Sequence, residues 1–298
     1  MAIQAAVLIL LLGFHYRHVL TRLEYIWRNN GDWSHGFIIP LFSLYYLYSQ
    51  RHRMPVNLAD HSVSSRLAGL GLLALAFCTY AGSTFYQTEY PKQVALVISI
   101  MGVVLVVCGW PMARWSWFAI AFLVFALPLP ERFYVQMTMP LRFIAAQVSA
   151  GALSVLIPDM LAEAQGAVVD YAFKGRAGTL DIEQACSGIR LMMTMMALGV
   201  AMAFINERPM WQRLVMILSV VPIAVFCNVI RVTTTGVFYV LGYEDLARGS
   251  WHMLLGLGML FVAFALYGGI SYILSHLVVE GEADELPARE MVTGGVVE

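Results

Sequence analysis

Residues 94–110 read VALVISIMGVVLVVCGW, seventeen positions without a charged side chain. A run of that length matches the hydrocarbon thickness of a bilayer when helical. Seven further apolar runs are read as spans: 3–19, 37–48, 67–86, 115–127, 189–205, 214–241 and 252–277. Charged residues are only 12% of the chain and hydrophobic ones 60%. Soluble domains carry about a quarter charged residues. The expectation is an all-α polytopic membrane protein of about eight spans, folded as one catalytic domain over 1–279. The acidic segment 280–298 is expected to be a disordered tail. The first apolar run lacks a basic leader and a small-residue cleavage site, so it is read as a retained helix.

Two stretches resist this scheme. Segment 131–158 is apolar yet carries Arg132, Gln136, Arg142 and Gln147. Polar groups so placed suit a helix lying at the membrane interface better than a ninth span. Segment 166–183 alternates Val168, Asp170 and Ala172 with Val169, Tyr171 and Phe173, turns at Lys174–Gly178, and extends again from Thr179. It is read as a small β-hairpin outside the lipid.

The hairpin runs into Asp181–Arg190, DIEQACSGIR, where a polar segment meets an apolar helix. Cys186 stands at that boundary. Ser187 or Cys186 itself would cap the helix. The free N–H groups and helix dipole there favour a thiolate. Cys78, Cys108 and Cys227 sit in apolar runs instead, and no CxxC pairing suggests a disulfide framework or zinc site. No metal or other cofactor is expected.

Arg231 is a charge inside an apolar span, which marks a functional position by default. It follows Arg213 by 18 residues, about 27 Å of helix, and so belongs near the far interface. Asn228 lies three residues earlier on the same face and could hold the guanidinium or fix the backbone nearby. His252 opens the last span. The start of 189–205, the end of 214–241 and the start of 252–277 share one membrane face. Cys186, Arg231 and His252 are therefore expected to converge, their Cα atoms within roughly 12 Å, the reach of hydrogen-bonding side chains toward one reacting carbonyl. Arg190 would sit one turn into the helix, where it would orient the site or pair with Glu183. His35, in Trp33-Ser34-His35-Gly36, is a further candidate on that face. The set suits acyl transfer: a thiolate nucleophile, an imidazole acid–base and a fixed cation for the oxyanion.

The ACSGIR run, the Asn228–Arg231 stretch with His252 downstream, and the early SHG segment followed by Phe37 and Pro40 together resemble the exosortase/archaeosortase family of integral membrane sorting enzymes. His252 resembles the bacterial exosortase branch. The resemblance implies a cysteine protease/transpeptidase. It would cleave C-terminal sorting signals of secreted proteins, a short motif such as Pro-Glu-Pro followed by a membrane helix and a basic cluster. It would then transfer the product to a cell-surface acceptor that the sequence does not identify. Cys186, Arg231 and His252 would be catalytic; Arg190, Asn228, Ser187, Glu183 and His35 would support them. Partners would be those substrates and membrane lipids. A net charge of −1 gives no reason to expect nucleic acid. The location would be the inner (plasma) membrane, with the site on the extracytoplasmic side. Basic residues in the short loops favour this orientation by a margin of one. Two other readings fit the residues: a plain intramembrane cysteine protease with water as acceptor, and a non-enzymatic anion or lipid transporter using Arg190 and Arg231.

Overall fold

The apolar runs fold as helices, and the order in which those helices reverse sets the architecture. The computed structural model describes residues 2–55, 62–181, 188–205, 208–243 and 250–277. The elements are α1 (Ala2–His15), α2 (Arg17–Asn29), a 3-10 helix (Gly31–Phe37), α3 (Ile38–Ser49), α4 (Val63–Phe85), α5 (Tyr90–Phe122) and α6 (Glu131–Leu156). Strands β1 (Met160–Gln165), β2 (Val168–Phe173) and β3 (Arg176–Asp181) follow, then α7 (Gly188–Ile205), α8 (Met210–Leu218), α9 (Val220–Val240) and α10 (Ser250–Leu277).

Among the described residues, five helical stretches are long and apolar enough to cross a membrane: Val63–Phe85, Tyr90–Ala126, Met139–Leu156, Met210–Val240 and Leu254–His276. The sequence reading expected eight. The first expected span is interrupted at Tyr16, between α1 and α2. The second is the 12-residue α3, and the described apolar part of α7 is only Met193–Ile205. In segment 131–158, expected at the interface, Glu131–Leu156 forms one helix, of which Met139–Leu156 is long and apolar enough to cross a membrane.

The expected runs 94–110 and 115–127 are the two limbs of α5, the second continuing into a 3-10 turn over Leu123–Ala126. Gly109 between them has φ 79°, ψ −171°, a conformation that only glycine adopts without strain. Pro111 then opens the second limb, where its missing N–H costs nothing. The chain turns back here. Tyr16 Oη and Ser99 Oγ share a 2.9 Å hydrogen bond, and Trp27 Nε1–H donates to the Ala126 carbonyl at 2.9 Å. Tyr16 and Trp27 are about 16 Å apart along α2, whereas Ser99 and Ala126 would be about 40 Å apart on a straight helix. At the turn, Trp110 donates to Ser64 Oγ and Trp115 to the Gln50 carbonyl. The first limb packs closely on α4: a Cβ on Gly69 would come within 2.9 Å of the Gly102 carbonyl oxygen. Small residues permit this approach where lipid supplies no hydrophobic drive between helices.

The expected hairpin is a three-stranded antiparallel meander, ordered β1-β2-β3. Its second turn is as read, with Lys174 and Gly175 at φ 49° and 75°. The additional strand is β1, paired from Met160↔Phe173 to Gln165↔Val168. Val169 and Leu180 pack with Ala150 and Leu153 of α6, with Ile157 just after it, and with Val232 of α9. The sheet therefore sits over the C-terminal part of α9.

Helices α7, α9 and α10 meet around Gly199. A Cβ there would run into Val220 Cγ2 and come 2.8 Å from Tyr267 Oη. Beyond that layer, Arg208 donates to Ser271 Oγ (2.6 Å) and its carbonyl (3.2 Å), and Gln212 donates to the Leu274 carbonyl. These bonds pin the end of α10 to α8. Gly199→Ala is expected to destabilise the purified protein by about 1–3 kcal/mol through overpacking, lowering its melting temperature in detergent. Gly268→Ala, whose added Cβ meets nothing within 4 Å, should leave it unchanged or slightly higher.

Candidate active site

Helix α9 carries two buried faces. Val220, Ile223, Ala224 and Cys227 recur at helical spacing and pack with Met195 and Ala203 of α7 and Met259, Ala263 and Tyr267 of α10. Arg231 continues that stripe one turn beyond Cys227 and is 1% exposed. The other face meets α6 and the sheet. A Cβ on Gly236 would lie 3.0 Å from Leu153 Cδ1 and 3.3 Å from Leu180 Cδ1. Ser149 Oγ–H reaches the Val229 carbonyl at 3.5 Å. A guanidinium taken so far out of water is costly unless acceptors or an anion meet it.

The Gly199–Val220–Tyr267 layer sets the relative height of the three helices. Eleven residues back from Gly199, α7 begins at Gly188; eleven residues on from Val220 lies Arg231. Each is about 16 Å of helix. His252, in the first turn of α10, is fifteen residues before Tyr267, or about 22 Å. The Tyr267 side chain leans toward the N-terminus of its helix, so its backbone lies on the far side of the layer and the excess shrinks. The start of α7, Arg231 and the backbone of His252 thus occupy one end of the bundle, level to about one helical turn. Cys186, Ser187 and Glu183 lie outside the described residues, as do the side chains of Arg190 and His252.

His35 reaches the same end from the 3-10 helix that precedes α3. Its 3-10 turn has almost no room: a Cβ on Gly36 would overlap the Trp27 indole. Trp33 packs with Met193 of α7 and with Leu129 and Val135. His35 itself is 7% exposed. It heads an apolar cleft of about 380 Å³ between α3, α7 and α10, lined by Ile38, Phe42, Thr194, Leu198, Leu260 and Phe264 among others. Asn228 is half-buried, three residues before Arg231. Of the other cysteines, Cys227 is fully buried in the α7–α9–α10 core, Cys78 is exposed and Cys108 is half-buried.

Arg142 is a buried cation to which the sequence reading assigned no role. It is 4% exposed on α6 and shares a helical stripe with Ala146, Ser149 and Leu153, the residues that meet α9. The signal was the run of small residues at helical spacing after it, which marks a helix–helix contact face.

The model of a protein family described as transmembrane exosortase matches residues 27–269. No curated protein and no solved structure matches the chain. The matched region runs from within α2 into α10 and takes in the His35 turn, the sheet, Arg231 and His252.

Arg231→Lys keeps the charge but loses the planar fork that can make two parallel hydrogen bonds. Turnover is expected to fall about 100-fold, the size of effect seen when an oxyanion donor is lost, with normal accumulation in the membrane. Turnover near that of the unmodified protein would assign Arg231 to headgroup charge alone.

Proposed function

The chain belongs to the transmembrane exosortase family of membrane sorting enzymes, and we propose that it cleaves C-terminal sorting signals of secreted proteins through a thioester on Cys186. The observation that carries this reading is Arg231, buried where three helices pack together and level with the start of α7. Cys186 precedes that start by two residues. Its thiolate attacks the scissile carbonyl carbon. The carbonyl oxygen becomes an oxyanion, which the Arg231 guanidinium stabilises. His252 protonates the departing amine, the C–N bond breaks, and a thioester remains. An amine or hydroxyl acceptor then attacks the thioester, loses its proton to His252 and releases the thiolate. Asn228 and His35 position these groups, and Arg190, four residues after the nucleophile, is assigned a supporting role with Glu183.

The distribution of basic residues supports an extracytoplasmic site in the plasma membrane. Trp115 bonds to the carbonyl of Gln50, the residue before Arg51, and Arg213 lies over the Phe204 ring, which stacks on Phe118. Arg51, Arg53, Arg114, Arg208 and Arg213 thus gather at the end away from Arg231. With Arg66 in the adjoining turn, this end holds six basic residues of the short loops against Arg17, Arg22, Arg28, Lys92 and Arg248 in the others, and that excess of one favours the cytoplasm for it.

The test is co-expression with a secreted reporter ending in a short extended segment, an apolar helix and a basic cluster. The reporter should be cut just before its helix. A product heavier than the cleaved reporter means transfer, and a product of the cleaved mass means a plain protease. Cys186→Ser should abolish processing while the protein still accumulates, and serine or alanine at Cys78 or Cys108 should leave it intact. Loss of processing in the Cys78 and Cys108 variants but not in Cys186→Ser would refute the assignment.

A further inference from the structure

The two edges of the small sheet are treated differently. The β1 edge is covered: β1 packs on α6, and the Ala162 N–H, which could bond a further strand, donates to Ser154 Oγ at 3.2 Å. The β3 edge has no strand beside it among the described residues. Natural sheets blunt a free edge with charge, proline or a bulge. At its centre β3 has Ala177, Gly178 and Thr179, small residues without charge. Ala177 and Thr179 are exposed, while Leu180 is buried against the bundle. An edge left so open is suited to pairing with another strand.

Its position gives that pairing a purpose. Leu180 rests on Gly236, five residues beyond Arg231 on α9, about 7.5 Å along the helix. Five residues after Asp181 the chain reaches Cys186.

We propose that β3 is the docking strand for substrate: the peptide segment before the scissile bond adds to its open edge as a fourth strand, parallel to β3. This inference rests on the sorting-enzyme reading. Main-chain hydrogen bonds hold an added strand largely independently of its sequence, and side-chain pockets on alternate residues add selectivity. The direction follows from what each chain does next. β3 leads into α7, and a substrate with a C-terminal apolar helix also enters the membrane after its extended segment. The pairing presents the scissile bond beyond the end of β3, beside Arg231.

Disulfide cross-linking tests this. Ala177→Cys and Thr179→Cys are each placed in the full-length Cys186→Ala protein, which retains the reporter uncut. The reporter carries single cysteines at successive positions of its extended segment, and cross-linked pairs are mapped by mass spectrometry. If Ala177→Cys links best to one reporter position, Thr179→Cys should link best two positions nearer the reporter helix. A shift in the opposite direction, or no shift, overturns the docking strand while the sorting reading stands, provided the enzyme retaining Cys186 cuts the reporter. A reporter left uncut by that enzyme overturns both.

Discussion

Everything at the candidate site depends on one close contact, the absence of a side chain at Gly199. Val220 of α9 and Tyr267 of α10 fill the space a Cβ would occupy. The Tyr267 hydroxyl donates to the Met195 carbonyl on the same helix as Gly199. Interiors at this density do not slide, so three helices that are remote in the chain hold a common register. That register lifts Arg231 and the start of α7 by equal lengths of helix and brings the first turn of α10 to the same end. The Arg208–Ser271 and Gln212–Leu274 bonds hold the opposite end of α10 to α8. The bundle is therefore fastened where no chemistry is proposed, and the groups that carry the chemistry lie at its other end.

Helix α9 extends that order to the sheet. Its first face packs on α7 and α10, and its second receives Leu153 and Leu180 around Gly236. One helix thus sets both the depth of Arg231 and the seat of β3. The 3-10 turn with His35 meets the bundle from a third direction, through Trp33 against Met193. A cation, an imidazole and a strand leading to a thiol are all referred to the same scaffold.

Much of this could be read from residue chemistry. Arg231 stood out because a charge in an apolar helix is costly and is retained where function needs it. The Lys174-Gly175 turn stood out because it needs the left-handed conformations it adopts. Other features were hidden for physical reasons. Strand β1, MLAEAQ, has no β-branched residue and reads as helix; pairing with β2 overrides that preference. The reversal in α5 rests on Gly109, and its sharpness shows only in the backbone angle. The apolar runs of α1 and α3 looked like complete spans, but hydropathy does not reveal the break at Tyr16 or the 3-10 turn before Ile38. Arg142 was visible as a misfit in its helix, but its face was set by Ser149 and Leu153 meeting α9.

The central claim is that Cys186 carries the substrate as a thioester at the Arg231 end of the bundle. The most direct measurement is the intact mass of the purified protein after brief exposure to the reporter under acid quench. The account predicts a covalent adduct equal to the cleaved reporter, mapping to the peptide that contains Cys186 and released by hydroxylamine. A reporter that is cut with no adduct on Cys186 at any time, or with the adduct on another residue, would contradict it.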